Sequence, residues 1–401
     1  MIRDRRRVVV LGYVVRQPVG GLVWHYLQYA LGLAQLGHEV LYLEDGCFLE
    51  DDAYAWYYDP TVDEWRDDPT YGLAFLDHTF LRVGLAGRWA CFDARRSTWH
   101  GLPVERVLDF CRSADLLLNV SAVNPVRPWL ETIPVRVFVD TDPAFSQLRI
   151  LRNAPHRRLA EQHNVFASFG ENLPAGRSSV PLGSASWIPT RQPIVLDAWT
   201  PTPGRPRGAF TTVMAWETYR AEAYQGRRFG LKSDSFQPYV DLPQRTKEVL
   251  EIWLAGATAP AERLREAGWK VNAGGPRDPW EYQRYLRESK GEFSVAKDGY
   301  VVSRSGWFSE RSAAYLASGR PVVVQDTGFS DWMETGRGVL GFRTAEEAAA
   351  CLEEVGRDYE RHCRAARIIA SEYFDARTVL SKLIERAEGA RKPVPSDVAD
   401  A

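Results

Sequence analysis

The stretch SGWFSERSAAYLASGRPVVVQDTG, residues 305–328, decides the predicted fold. Ser309 is a favourable helix N-cap, and Glu310 follows in the first turn, where the helix dipole favours an anion. The segment Gly319–Pro321 ends the helix after about ten residues. The run Val322–Val324 is short, β-branched and bounded by turn residues, which predicts a strand buried on both faces of a parallel sheet.

Both edges of this helix–strand unit are suited to an anion. The helix begins at Ser309–Ser312, where backbone N–H groups are free and Arg311 adds a positive charge. The strand leads into the polar loop Asp326–Gly328. In an open α/β sheet the helix start and this loop face the ligand crevice, so the unit predicts an anion site there.

The segment Ala317–Val323 resembles the small-Gly-x-Pro-Val-Val pattern of the donor-binding half of GT-B glycosyltransferases. The segment from Gly291 to Phe329 is also similar to a group of bacterial glycosyltransferases. Many families of this fold place a ribose-binding Glu five residues before the Gly, where this chain has Ala314, so Glu310 or Asp326 replaces it or the contact is absent. The resemblance implies that the nucleotide-sugar is held by Ser309, Glu310, Arg311, Ser312, Asp326, Thr327 and Gly328.

A β-α-β unit opens the chain. Strands are predicted at Val8–Gly12 and Glu39–Glu44, and helical spacing at Leu22–Leu36, with Gly20-Gly21 at the helix entrance. This opening resembles GT-B enzymes, in which a Gly-Gly backbone approaches the donor diphosphate. A generic Rossmann unit with ordinary turn glycines is the alternative. The absence of G-x-G-x-x-G disfavours a dinucleotide site.

Residues 48–100 are rich in Asp, Tyr and Trp and show little periodicity, which predicts an irregular surface insertion. Its aromatic side chains either line an acceptor site or pack under long loops. The α/β rhythm resumes at Val104, and each later strand is followed by a polar loop, at residues 121–124, 140–142 and 170–172. In a parallel sheet these loops meet at one rim, facing Gly20-Gly21.

Prolines are concentrated in residues 178–207, which predicts an interdomain join. We expect an α/β protein of two Rossmann-like, doubly wound domains facing across a cleft, the GT-B arrangement. Residues 1–195 would form the acceptor domain and residues 196–375 the donor domain. The helix at 376–390 would cross back to the first domain, as in GT-B proteins, and 391–401 would be a tail.

Composition narrows the class of partner. The 401 residues carry a net charge of −2 with both signs interspersed, which disfavours a nucleic-acid partner. The five cysteines show no C-x-x-C spacing, so neither a disulfide framework nor a zinc site is predicted. The apolar run after Arg5–Arg7 is too short for a signal peptide, and no run reaches a membrane span. A cytoplasmic protein is expected.

Sugar transfer from a nucleoside diphosphate needs cations for the leaving group and a base or stabilising carboxylate. Lys232, Arg311 and the backbone near Gly21 and Ser309 are candidates for the first role. Arg311 could otherwise form a surface ion pair with Glu310, and Lys232 could be a solvated loop residue. Asp142 and His25 are the catalytic candidates. Asp142 is alternatively a turn residue, and His25 a packed helix-face residue.

The run Asp140-Thr141-Asp142 resembles the metal-binding D-x-D of the other large glycosyltransferase fold, GT-A. It lies in the half without the donor-like stretch, so no divalent metal or other cofactor is expected. The predicted function is transfer of a sugar from a nucleotide donor to an unidentified small-molecule, glycan or lipid-linked acceptor. The alternatives are a nucleotide-sugar epimerase of the same fold and a non-catalytic nucleotide-sugar-binding protein.

Overall fold

The computed structural model describes residues 5–47, 56–256, 258–276 and 278–390. Within these ranges the strands are β1 (Arg7–Leu11), β2 (Glu39–Asp45), β3 (Tyr57–Asp59), β4 (Glu64–Arg66), β5 (Trp89–Asp93), β6 (Thr98–Gly101), β7 (Leu116–Val120), β8 (Val135–Asp140), β9 (Val165–Ser168), β10 (Trp187–Pro189), β11 (Phe210–Ala215), β12 (Glu222–Tyr224), β13 (Arg227–Phe229), β14 (Leu250–Ala255), β15 (Lys270–Ala273), β16 (Gly291–Ser294), β17 (Val322–Gln325) and β18 (Val339–Phe342).

The α-helices in the same ranges are α1 (Gly20–Gln35), α2 (Thr70–Arg82), α3 (Val104–Arg112), α4 (Pro128–Glu131), α5 (Phe145–Arg152), α6 (Ala154–Glu161), α7 (Lys232–Phe236), α8 (Ala261–Glu266), α9 (Pro279–Glu288), α10 (Asp298–Ser303), α11 (Glu310–Ala317), α12 (Ala345–Arg357), α13 (Tyr359–Tyr373) and α14 (Ala376–Ala390).

The first sheet has the strand order β10-β9-β8-β7-β1-β2-β5-β6. All neighbours pair in parallel except β6, which runs antiparallel to β5. Successive residues of β1 enter different cores: Val8 and Val10 pack on the face that carries α1, and Val9 packs on the face that carries α3. Burial on both faces explains why β1 is continuously apolar.

The second sheet has the order β15-β14-β11-β16-β17-β18 and is parallel throughout. In β17, Val322 and Val324 face the core shared with α11, whereas Val323 faces the core shared with α12. Gly319 has a φ of +72° and ends the preceding helix. The predicted helix, turn and buried strand are therefore confirmed, and so is the prediction of two doubly wound α/β domains.

The last helix returns to the first domain. Helix α14 packs against α1, where a Cβ on Gly32 would lie 2.7 Å from the Cδ1 atom of Leu380. Before it, the N–H of Ile194 donates to the carbonyl of Phe374, and the N–H of Ala376 donates to the carbonyl of Ile194. These contacts hold the chain end against the connection between the sheets.

The prediction of an irregular insertion at 48–100 is wrong for residues 56–100, and residues 48–55 lie outside the described ranges. This part of the chain supplies α2 and two strands of the main sheet, β5 and β6. Gly72, Leu76 and Phe80 recur every four residues and form the buried stripe of α2. The exposed polar residues Asp77 and His78 and the half-buried Phe75 lie between them and obscure this period. Similarly, the proline-rich connection contributes β10, an edge strand that tolerates Pro189.

Candidate active site

A small cavity lies between the two domains. Helix α1 of the first domain contributes Gly21 and His25, and the second domain contributes Tyr282, Glu310 and Ala314. Trp199, from the connection between the sheets, closes one wall. The indole Nε1 of Trp199 is buried and has no hydrogen-bond partner within the described part of the chain. The structure thus brings Gly21, His25 and Glu310, which were predicted from distant parts of the sequence, to one cavity.

Helix α1 begins with Gly20 and Gly21, and because these residues have no side chains the start of the helix approaches the second domain closely. A Cβ on Gly20 would lie 2.4 Å from the carbonyl oxygen of Asp278, a separation that real structures do not show. A Cβ on Gly21 would lie 3.0 Å from the ring of Tyr282. The indole of Trp24 donates to the carbonyl of Pro279 at 2.7 Å. Glycines at this turn therefore let the domains meet.

His25 is 8% exposed and faces Glu310. Burial lowers the pKa of His25, and the nearby Glu310 charge only partly opposes this effect, so the imidazole is neutral at neutral pH. Its Nε2 atom lies 3.2 Å from the Ser121 hydroxyl. The carboxylate of Glu310 has no hydrogen bond or ion pair with any described residue and is half-buried. A neutral base and an unpaired carboxylate therefore face each other in the cleft.

Helix α11 begins as predicted. The Ser309 hydroxyl accepts a hydrogen bond from the N–H of Arg311 at 3.2 Å, which is N-cap geometry. Ser309 and Ser312 line a second small cavity, together with Thr327 and the ends of β16 and β17. The Ser312 hydroxyl has no partner among the described residues. This second cavity combines a helix N-terminus with the unpartnered Ser312 hydroxyl, which suits an anionic or polyhydroxyl ligand.

Arg311 is buried and does not pair with Glu310. Its Nε atom donates to Glu292 at 2.7 Å, and its terminal nitrogens donate to the Val213 carbonyl at 2.6 Å and the Ser294 hydroxyl at 2.5 Å. Burial lowers the pKa of Arg311, but the neighbouring Glu292 outweighs this and raises it. The surface ion pair considered from the sequence is thus wrong. Arg311 holds β11, β16 and α11 together beneath the cleft.

Lys232, at the start of α7, is half-buried and its ammonium group has no hydrogen bond with a described residue. Burial, followed by the charges of Arg311 and Lys297, lowers its pKa to about 7. The negative charge of Glu310 opposes this effect and tends to raise the pKa of Lys232. An unpaired cation near other cations is the condition in which an added anion is most strongly favoured.

Asp142 lies at the centre of a hydrogen-bonded cluster that spans the domains. Its Oδ1 atom accepts from Lys297 at 2.8 Å and from the Tyr300 hydroxyl, and its Oδ2 atom accepts from the Tyr219 hydroxyl. Arg149 lies 3.7 Å away. Burial alone would raise the pKa of Asp142, but Lys297 and Arg149 outweigh it and hold the pKa below its usual value. All described partners favour the charged carboxylate.

Asp140, two residues earlier, is fully buried and shapes the turn. Its Oδ1 atom accepts from the N–H of Asp142 at 2.9 Å, and its Oδ2 atom accepts from Gln147 at 2.8 Å and Ser168 at 2.7 Å. The turn-forming aspartate is therefore Asp140. Among the described residues, no group of three or more His, Cys, Asp or Glu side chains is placed to hold a metal ion.

The loop Asp326–Gly328 is tied to both domains. Asp326 accepts from Arg343 at 2.8 Å and from the N–H of Gly328 at 2.9 Å. Gly328 has a φ of +92°, and its carbonyl accepts from Asn172 of the first domain at 3.0 Å. The Thr327 hydroxyl donates to the Trp307 carbonyl. Of the three residues, only Thr327 lines the second cavity.

Solved structures with the same arrangement identify the fold. HepE of Anabaena, solved in complex with UDP-glucose, is 12% identical over 96% of this chain and all of that chain, with a TM-score of 0.58. An α-glucosyltransferase solved with UDP and DNA is 10% identical with equal coverage and a TM-score of 0.58. A glycosyltransferase from Rickettsia africae is 11% identical over 98% of this chain and all of that chain, with a TM-score of 0.51.

The chain has the GT-B fold. No family model matches the sequence, and no curated protein matches it. In GT-B terms, the cavity near His25 lies between the two domains, and the cavity near Ser309 lies at the carboxyl ends of β16 and β17 in the second. None of the described helices is long and apolar enough to cross a bilayer.

Sequence reasoning missed Lys297, Tyr219 and Tyr300, the partners of Asp142. Lys297 and Asp142 are 155 residues apart, and no local pattern signals such a pair. The polar segment at 217–241 could have been a clue, because its hairpin of β12 and β13 crosses to α5 of the first domain, where Arg152 donates to the carbonyl of Ala223 at 2.6 Å.

Proposed function

We propose that the GT-B chain is a glycosyltransferase that moves a sugar from a nucleoside diphosphate donor to an acceptor on the first domain. One observation carries the proposal: the unpaired Glu310 of the second domain and His25 of the first line one cleft, and the unpaired Lys232 lies close enough to Glu310 to interact with its charge. The complexes of HepE with UDP-glucose and of the α-glucosyltransferase with UDP support a nucleotide-sugar donor.

For the donor phosphates we propose Lys232 and the N–H groups at the start of α11, near Ser309 and Ser312. The Lys232 ammonium has no hydrogen-bond partner among the described residues, and the N-terminus of a helix favours phosphate. Gly20 and Gly21 bring backbone to the same region. Arg311 lies beneath this site, where its guanidinium donates hydrogen bonds to Glu292 and Ser294. We propose that it supports the site without contacting the phosphates directly. Thr327 lies near the donor, whereas Asp326 and Gly328 shape its loop.

For the reaction itself we propose His25 and Glu310. The neutral imidazole is free to accept the acceptor proton, with the charge of Glu310 favouring the imidazolium that forms, or to donate a hydrogen bond to a sugar hydroxyl. The free Glu310 carboxylate is suited to hold donor hydroxyl groups or to stabilise positive charge at the sugar carbon. Asp142 was predicted as a second base. Its pKa is lowered and its carboxylate already accepts several hydrogen bonds, including one from Lys297, so we propose that it serves as a counter-ion instead.

A divalent metal is not part of the proposal, because the unpaired Lys232 and the N–H groups at the start of α11 are proposed to balance the phosphate charge. Asp140 supports this view, since both of its carboxylate oxygens already accept hydrogen bonds. We propose a hexose donor by analogy with HepE, and a cytoplasmic location. The proposed acceptor is a small molecule, a glycan or a lipid-linked sugar.

The test begins with a thermal-shift screen of nucleoside diphosphates and their sugars. A ligand at a hundred times its Kd stabilises the protein by about 2.7 kcal/mol, which is readily detected. Donor turnover is then followed with and without acceptors. A transferase releases nucleoside diphosphate faster with acceptor, an epimerase changes the donor sugar without one, and a binding protein does neither. EDTA should leave turnover unchanged.

A further inference from the structure

Ser121 connects His25 to the loop that follows β8. The Ser121 hydroxyl lies 3.2 Å from Nε2 of His25 and 2.8 Å from the hydroxyl of Thr141. Thr141 in turn is held from the second domain, because the indole of Trp307 donates to its carbonyl at 3.2 Å. Hydrogen bonds therefore link the cleft imidazole through Ser121 to the Thr141 hydroxyl, and Trp307 separately anchors the Thr141 backbone at the domain interface.

The backbone at Ser121 is strained, and its surroundings enforce that strain. Ser121 and Ala122 have φ values of +62° and +48°, a region that residues other than glycine rarely occupy. The N–H of Ser121 donates to the Val139 carbonyl at 2.9 Å, and the N–H of Ala122 donates to the Asn119 carbonyl at 3.1 Å. Two consecutive left-handed residues at the end of a strand, beside a histidine of the cleft, indicate that the surrounding structure fixes the direction of the Ser121 side chain.

The other imidazole nitrogen is left open. Nδ1 of His25 has no hydrogen bond with a described residue, and it is not sealed from solvent. The rings of Tyr26 and Phe169 pack edge-on against the imidazole, with centroids at 4.9 and 6.2 Å. Ring packing limits rotation, and the Ser121 bond distinguishes the two nitrogens.

We infer that Ser121, held by Thr141, is a positioning residue that fixes one tautomer of His25 and leaves Nδ1 for a hydroxyl of the substrate. The inference rests on the proposed function only for the role of His25. The neighbouring residues then have separate tasks: Asp140 shapes the turn, Thr141 orients Ser121, and Asp142 binds Lys297. This division explains the D-T-D run without a metal ion.

The test compares Thr141→Val, which removes the hydroxyl at equal volume, with Thr141→Ser, which keeps it. Nuclear magnetic resonance of protein with ¹⁵N-labelled histidine reads the tautomer of His25, and the signal is assigned by its loss in His25→Gln. We expect one tautomer in the wild type and Thr141→Ser, and a mixture in Thr141→Val and Ser121→Ala. The kcat of Thr141→Val should fall about 10- to 100-fold, with an unchanged KM for the donor.

The Ala122→Gly variant separates the hydroxyl chain from the backbone. It relieves the backbone strain of the left-handed conformation at residue 122 but keeps the hydroxyls of Ser121 and Thr141, so the His25 signal should stay as in the wild type. Unchanged ¹⁵N signals in Thr141→Val, or altered signals in Ala122→Gly, would overturn the positioning role. The magnetic resonance readout needs no turnover. Turnover in His25→Gln is the separate test of the proposed function, and Tm values confirm that each variant folds.

Discussion

The Nζ atom of Lys297 lies 2.8 Å from Oδ1 of Asp142, and this ion pair joins the two domains of the fold. The side chains are 15% and 20% exposed, so the pair is largely removed from water. Burial lowers the pKa of Lys297, and Asp142 only partly restores it. Loss of the carboxylate would therefore leave a cation without its counter-ion at the interface.

The first prediction is that Asp142→Asn destabilises the protein by about 2 to 4 kcal/mol, because it leaves Lys297 unpaired. Denaturant unfolding measures the change. The control is Asp197→Asn, which breaks an exposed ion pair with Arg377 and should cost less than about 1 kcal/mol. If Asp142→Asn instead keeps its stability and loses about 10²- to 10⁴-fold in turnover at equal donor affinity, Asp142 is the base predicted from the sequence.

The second prediction concerns Arg311. Arg311→Ala leaves Glu292, which is fully buried, without its partner and should destabilise the protein by about 3 to 5 kcal/mol. The double variant Arg311→Ala/Glu292→Gln should recover part of the loss, because no charge remains buried. Denaturant unfolding measures both variants. A tenfold loss of nucleoside diphosphate affinity at unchanged stability would show a direct phosphate contact.

Most of the fold could be predicted because it depends on local patterns. The helix and strand around Gly319 carry their own capping and turn residues, and β1 and β17 are apolar runs that only a doubly covered sheet explains. The elements at 56–100 were not predicted because their local patterns are weak. Helix α2 is amphipathic, but its stripe of Gly72, Leu76 and Phe80 is narrow, and β5 has five residues.

The site was less predictable, because side-chain partners are set by tertiary contacts. Sequence position suggested that Arg311 binds phosphate, yet its partners Glu292 and Val213 come from neighbouring strands. In contrast, His25 and Glu310 were predicted as site residues from their places near helix starts, and the fold brings both to the cleft. Positions at helix N-termini and strand ends were thus predictable, whereas hydrogen-bond partners were not.

The third prediction is that Gly20→Ala impairs closure of the two domains. The added methyl group would meet the Asp278 carbonyl at 2.4 Å, and backbone cannot yield as a side chain can. Small-angle scattering should show a more open molecule, and kcat should fall. Gly21→Ala should have a smaller effect, because its neighbour is the Tyr282 ring. The control Gly389→Ala adds a methyl group with nothing within 4 Å in α14. Equal compactness and turnover in Gly20→Ala would contradict the role of this contact.

The last prediction is that nucleoside diphosphate binding weakens as pH rises above about 7, the pKa of Lys232 in the free protein. Below that pH the ammonium is already charged, so binding needs no proton. Above it the free protein holds a neutral amine. A bound diphosphate favours the charged form, so the complex takes up a proton. Each pH unit then lowers affinity by up to about tenfold, until the higher pKa of the complex is reached.

Isothermal titration of UDP between pH 6 and 9, in buffers of different ionisation enthalpy, measures this proton uptake directly. The phosphate itself is fully ionised above about pH 7, so the slope reports the protein. Lys232→Met should bind more weakly and show little slope, whereas Lys247→Met, which removes an exposed lysine, should match the wild type. The groups around Lys232 are Arg311, Lys297, Glu310 and Glu292. A slope that persists in Lys232→Met would contradict the assignment of this titration to Lys232.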